Sequence, residues 1–145
     1  GWRLGWLAGP QPVVAAASAL QSQSTSNVCS FAQFGALAAI EAPRDCVGDM
    51  AAKFNERRSL LSAGLMAIAG LKLLPPEGAF YAFPDVSGFG LDSMTLCNRL
   101  LDEVGLAVVP GVAFGDDRCI RLSCAASPAT IEDGLERLQR FLAAL

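Results

Sequence analysis

The chain has 145 residues, 52% of them apolar and 17% charged, with a formal net charge of −3. That length supports one domain, or a domain with part of another, and the apolar fraction excludes an intrinsically disordered chain. Fourteen acidic side chains against 11 basic ones argue against a nucleic-acid partner, and the absence of histidine removes the commonest general base and metal ligand.

The stretch Gly1 to Leu20 is apolar, but Arg3, Pro10, Gln11 and Pro12 interrupt it, so it predicts neither a membrane span nor a secretory leader. Gly1 to Pro10 reads as a strand closed by Gly9-Pro10, and Pro12 suits the first turn of a helix running to about Gln21. The polar run Gln21 to Asn27 reads as a loop. Phe31, Phe34, Leu37 and Ala38 recur at helical spacing and predict a helix over Ser30 to Glu41, ended by Pro43. Val47, Met50, Phe54, Leu61, Leu65 and Ile68 then mark one long helix within 43–70, stopped at Gly70 and of the kind that joins two lobes.

Beyond Gly70 the pattern shortens. Leu71 to Leu74 and Ala79 to Phe83 read as strands around a Pro75-Pro76-Glu77-Gly78 turn. Asp92 or Ser93 caps a helix whose stripe is Cys97, Leu100, Leu101 and Val104, stopped at Gly105. Leu106 to Val109 and Cys119 to Cys124 read as strands. Ser127-Pro128 opens a last helix with the stripe Ile131, Leu135, Leu138, Leu142 and Leu145, its acids Glu132 and Asp133 early and Arg137 and Arg140 late, as a helix dipole prefers. Residues 71–145 thus predict a small α+β unit. Residues 1–42 hold one strand and two helices, too little for a sheet, and so read as the trailing part of a larger domain whose unpaired edge favours self-association.

Arg121 is the sharpest candidate for chemistry. A strand places Cys119, Arg121 and Ser123 on one face, where a guanidinium among small residues can hold a carboxylate through two parallel hydrogen bonds. The same pattern also describes an arginine on the solvated face of an edge strand. Arg3, between Trp2 and Leu4, calls for a phosphate or an acidic side chain unless it is a chain-end arginine in water. Lys53 and Lys72 have no niche that would lower their pKa and read as solvated. Five cysteines, at 29, 46, 97, 119 and 124, show no metal-binding spacing, so no metal site is expected, and they read as reduced thiols of a cytoplasmic protein.

Taken together, Gly1-Trp2-Arg3-Leu4-Gly5-Trp6, Gln21 to Ser26, Gly78-Ala79-Phe80-Tyr81, Val109-Pro110-Gly111 and Ile120-Arg121-Leu122-Ser123 stand in an order that resembles the C-terminal part of fold-type I, class I/II pyridoxal-phosphate aminotransferases of the aspartate aminotransferase type. The resemblance implies an α/β (α+β) architecture: 1–42 from the cofactor-binding large domain, 43–70 a linking helix, and 71–145 the small C-terminal domain. It implies pyridoxal 5'-phosphate as cofactor, amino acids and 2-oxo acids as substrates, and a homodimer. Arg121 is implied to grip the substrate α-carboxylate and Arg3 to contact the cofactor phosphate. Gly78 to Tyr81 and Pro110-Gly111 would lie on the substrate side of the cleft, and the serines and threonine of Gln21 to Ser26 near the dimer and cofactor region. The family's imine-forming lysine precedes the glycine of its G-W-R motif, where this chain begins, and neither Lys53 nor Lys72 matches it. The expectation is therefore a fragment without the catalytic lysine, inactive alone and binding the cofactor weakly or not at all. The alternative is a non-catalytic α+β binding or interaction domain.

Overall fold

The computed structural model describes residues 2–42 and 45–145, in two compact units, Gly1–Gly48 and Asp49–Leu145.

The first unit is helical. Residues 2–10 form no strand, contrary to the sequence reading, because the unit offers no second strand to complete a ladder. The segment instead lays the Trp2 ring edge-on to Phe31, with ring centres 5.5 Å apart, and over Gly35. Helix α1 runs Gln11–Ser24, with Pro10 as N-cap and Pro12 in the first turn. It thus extends beyond Gln21 into the predicted loop. The Ser22 and Ser24 hydroxyls donate back to the Ala19 and Gln21 carbonyls at 2.7 and 3.4 Å, so these polar residues are accommodated within helical geometry. Helix α2 spans Ser30–Glu41 as predicted, while the Pro43 stop lies outside the described residues. Helix α3, Asp45–Met66, begins in this unit and continues into the second.

In the second unit the predicted stripe of α3 is buried from the middle onward: Leu61 and Leu65 are in the core and Phe54 packs against it, whereas Met50 is exposed. The helix ends at Met66 rather than at Gly70, and Ile68 joins the core from the turn that follows. Every predicted strand is shorter than expected. Strand β1 is Tyr81–Ala82, β2 is Val109–Pro110 and β3 is Ile120–Ser123. Leu71 to Leu74 reduces to one bridge, Lys72 to Asp85. Pro75, Pro76, Pro84 and Pro110 supply the reason, since none has an N–H to extend a ladder. The sheet order is β1-β3-β2, antiparallel throughout, pairing Tyr81 with Ser123 and Val109 with Arg121, so β3 is the central strand.

Helix α4, Ser93–Val104, is capped by Asp92, whose carboxylate accepts from the Thr95 N–H at 2.8 Å, and it ends at left-handed Gly105. Its buried stripe is Ser93, Leu96, Cys97 and Leu100. Leu101, expected inside, is exposed, lying about 100° round the helix from Leu100 and about 140° from Leu96. Helix α5, Pro128–Leu142, is capped by Ser127 and buries Ile131, Leu138, Phe141 and Leu142, with Phe141 taking the place expected for Leu145, which lies past the helix end and is exposed. Asp133 falls beyond the first turn and pairs instead with Arg137 at 2.9 Å, and Arg137 donates to the Val104 carbonyl at the end of α4. The core of this unit gathers Leu65, Leu96, Leu100, Ile120 and Leu138 beneath the sheet. No helix among the described residues is long and apolar enough to cross a membrane.

Candidate functional site

Alternation along β3 buries Ile120 and Leu122 and leaves Arg121 half-buried on the other face. Two rings close over its guanidinium. The Tyr81 ring centre lies 4.3 Å and the Phe114 ring centre 4.4 Å from Cζ. Tyr81 comes from β1, whose register sets it opposite Ser123, two residues along from Arg121. Phe114 closes the 3-10 turn Gly111–Phe114 that follows β2. Such cation–π contacts each contribute about 0.5 to 2 kcal/mol and restrain the guanidinium against the two rings.

Among the described residues the Arg121 guanidinium makes neither a hydrogen bond nor an ion pair. The carboxylates on the neighbouring loops are engaged elsewhere. Arg118 donates to Asp116 at 2.9 and 2.7 Å, and that contact lowers the Asp116 carboxyl to about 2. Asp85 accepts from the Ser87 N–H and hydroxyl, which holds its pKa below the ordinary value. Asp117 accepts from Ser93. A fork of unused donors beside two aromatic rings is suited to a carboxylate approaching in the guanidinium plane, which can take two parallel bonds.

The predicted flanking segments are brought to this point. Ala79 has φ 57, a conformation uncommon for a residue with a side chain, in the bend that leads into Tyr81. The Tyr81 ring lies tilted against Phe80, centres 4.4 Å apart, and Phe83 meets Phe114 edge-on at 6.0 Å. Gly111 donates its N–H to the Cys119 carbonyl at 2.8 Å, and a Cβ there would collide with the Asp116 and Cys119 oxygens. Sequence reasoning missed Phe114 as the second plane. The available signal was a phenylalanine bracketed by Gly111 and Gly115 directly after Val109-Pro110.

Arg3 occupies the first unit, at φ 56, again strained for a non-glycine residue. With Gly5, Gln21, Thr25 and Asn27 it lines an open hollow of about 320 Å³, and with Trp2, Ala32 and Gly35 another of about 440 Å³. Among the described residues it has no acidic partner. Lys53 and Lys72 are exposed. The thiols of the second unit are poor nucleophiles: burial pushes Cys97 up to about 11 and raises Cys119 and Cys124.

The aminotransferase class I and II family model matches residues 1–138. The bifunctional aspartate aminotransferase and glutamate/aspartate-prephenate aminotransferase of Petunia hybrida is 44% identical over 155 residues, which span 98% of this chain and 32% of the relative. The aspartate aminotransferase of Bacillus subtilis is 39% identical, over 98% of this chain and 37% of the relative. Among solved structures, the Rhizobium meliloti aspartate aminotransferase superposes with a TM-score of 0.87 at 35% identity, over 98% of this chain and 38% of that one. The aromatic aminotransferase from Pyrococcus horikoshii gives 0.89 at 33% identity, over 99% and 39%. The chain thus spans about a third of the length of the curated relatives it matches. With a family model covering nearly all of its residues, the chain belongs to the class I and II aminotransferases, a family of pyridoxal-phosphate enzymes.

Proposed function

We propose that this chain contributes the substrate-carboxylate grip and one phosphate contact to an aminotransferase that moves an amino group between an α-amino acid, aspartate-like or broader, and a 2-oxo acid. The observation that carries the reading is the Arg121 guanidinium, lying over the rings of Tyr81 and Phe114 with its donors unused among the described residues. The domain reading goes with it: residues 1–42 as large-domain sequence, 43–70 as linking helix and 71–145 as the small domain.

The residues present fit pyridoxal phosphate at its anionic end. Arg3 is a cation without an acidic partner among the described residues, beside the polar Gln21, Thr25 and Asn27, and that donor set suits a phosphate. When bound, the cofactor supplies an electron sink that eases removal of the substrate α-proton. Arg121 binds the α-carboxylate in the plane of its guanidinium, and the Tyr81 and Phe114 rings shield that guanidinium in part from water. Two bonds to one carboxylate fix its plane and the place of the α-carbon, a positioning effect able to supply several kcal/mol of a barrier (about 7 to 11 at the upper end). Neither Lys53 nor Lys72 stands in a site that would activate it, so the 145 residues alone do not turn over. Five free thiols support a cytoplasmic setting, and homodimerisation is part of the same proposal.

The test is titration of the 145-residue chain with pyruvate, followed by NMR at Arg121. The expected result is saturable binding that is lost in Arg121→Ala and weakened at least about tenfold in Arg121→Lys, which keeps the charge but loses the second bond and the stacking. Equal binding by all three proteins overturns the assignment. Incubation with pyridoxal phosphate followed by borohydride should leave Lys53 and Lys72 without stoichiometric label, and a stoichiometric adduct on either overturns the assignment of the catalytic lysine outside these residues.

A further inference from the structure

One fully buried polar side chain remains outside the site described so far. Ser93, the first residue of α4, is 0% exposed. Its hydroxyl donates to the Asp117 carboxylate at 2.6 Å and accepts from the Val112 N–H at 3.2 Å, while its own N–H donates to the same Asp117 oxygen at 3.1 Å. The helix already has its N-cap in Asp92, so this second carboxylate does more than satisfy a helix end. The three bonds join the start of α4 to both ends of the segment 112–117, and Phe114 lies between those ends. The same segment is closed by the Gly115 N–H on the Val112 carbonyl at 3.2 Å and the Asp116 N–H on the Gly111 carbonyl at 3.1 Å.

We propose that the Ser93–Asp117 pair, buried at the serine, is a positioning device: it fixes the turn that carries Phe114, and through Phe114 it restrains the Arg121 guanidinium. The proposal rests on the reading of Arg121 as a carboxylate grip. Its physical basis is that Phe114 itself is nearly half exposed, at 49%, and sits on a short turn. Without a tether, that ring leaves one guanidinium face to water, and the arginine regains rotamers that do not present both N–H groups to one carboxylate. The bonds at Ser93 supply such a tether, because removing the Asp117 acceptor leaves the fully buried Ser93 hydroxyl without its partner. What Ser93 requires of position 117 is an acceptor oxygen rather than a charge, and this separates positioning from general electrostatics.

The test uses the whole 145-residue chain in five forms: wild type, Ser93→Ala, Asp117→Ala, Asp117→Asn and Phe114→Ala. Two quantities are read by NMR: the chemical shift of the Arg121 Nε–H, displaced by the ring currents of its two aromatic neighbours, and the dissociation constant for pyruvate. The expected result is that Ser93→Ala and Asp117→Ala move the Nε–H signal toward its position in Phe114→Ala and weaken pyruvate about tenfold, while Asp117→Asn, which keeps the acceptor, restores both. Folded Ser93→Ala and Asp117→Ala proteins whose Nε–H shift and pyruvate affinity match the wild type overturn the proposal, as does failure of Asp117→Asn to restore them. Asp117 is exposed, so if Ser93→Ala does not fold, the Asp117→Ala and Asp117→Asn pair decides alone. If pyruvate binds none of the proteins, the carboxylate-grip reading falls, and the Nε–H comparison still decides whether the pair positions the arginine.

Discussion

The plane on the second face of Arg121 depends on a residue without a side chain. Position 111 lies where the backbone of β2 turns under the loop that returns to β3, and a Cβ there would overlap the carbonyl oxygens of Asp116 and Cys119. Both obstacles are backbone, and the Cys119 carbonyl is held by the Gly111 N–H, so neither yields as the end of a flexible side chain would. Gly111→Ala is expected to cost about 2 to 3 kcal/mol, measured by denaturant unfolding, and to release Phe114 from Arg121. A loss below 0.5 kcal/mol, on the order of a neutral surface change, would show that the turn relaxes freely. Arg121 itself was legible in the sequence because strand alternation is a local property: buried Ile120 and Leu122 bracket it. Phe114 and Ser93 were not, because a 3-10 turn has no period to read, and the value of a serine at a helix start depends on a carboxylate 24 residues away.

Among the elements, α4 and α5 were legible nearly to the residue, since each begins at a side-chain cap that the sequence displays: Asp92 with Thr95 for α4, and Ser127 with Thr130 for α5. The strands were overlong for the opposite reason. Their residue types suit strands, but prolines and the small size of the sheet limit pairing to two or four residues each. The α4 cap has a pH signature. Bonds from the Thr95 N–H and hydroxyl hold the Asp92 carboxyl below its ordinary 3.8 in the folded chain. The unfolded chain therefore takes up a proton first as the pH falls, so the stabilisation is complete above the ordinary value and is lost as pH drops through the lower folded value. Asp116, lowered to about 2 by Arg118, acts in the same direction. Asp92→Asn keeps the cap but cannot titrate. The melting temperature of the wild type relative to Asp92→Asn is expected to fall between about pH 5 and pH 2, and a constant difference across that range would remove Asp92 from the acid response.

At the scale of the whole molecule, the two units distribute apolar surface very differently. The second unit has a core of ordinary kind, with Leu65, Leu96, Leu100, Ile120 and Leu138 fully enclosed. In the first unit, α1 buries no residue and α2 buries only Ala32, although both helices are rich in alanine and α2 also carries Phe31, Phe34, Leu37 and Ile40. Phe34 is 75% exposed and Ile40 57%. Helices that are apolar on more than one face are stable when covered, and apolar patches of this extent seek partners in water. The sequence pointed to self-association of residues 1–42 through an unpaired strand edge and apolar patches. No strand forms among residues 2–10, so the same outcome rests on helix faces instead. The 145-residue chain is expected to scatter light as a dimer or larger species at micromolar concentration, and Phe34→Glu combined with Ile40→Glu should shift it toward monomer without lowering the stability of the second unit, because a charge on each exposed face opposes docking while leaving that core untouched. A wild-type chain that remains monomeric would show that alanine-rich faces of this kind tolerate water unaided, and would remove surface burial as a reason for the homodimer proposed here.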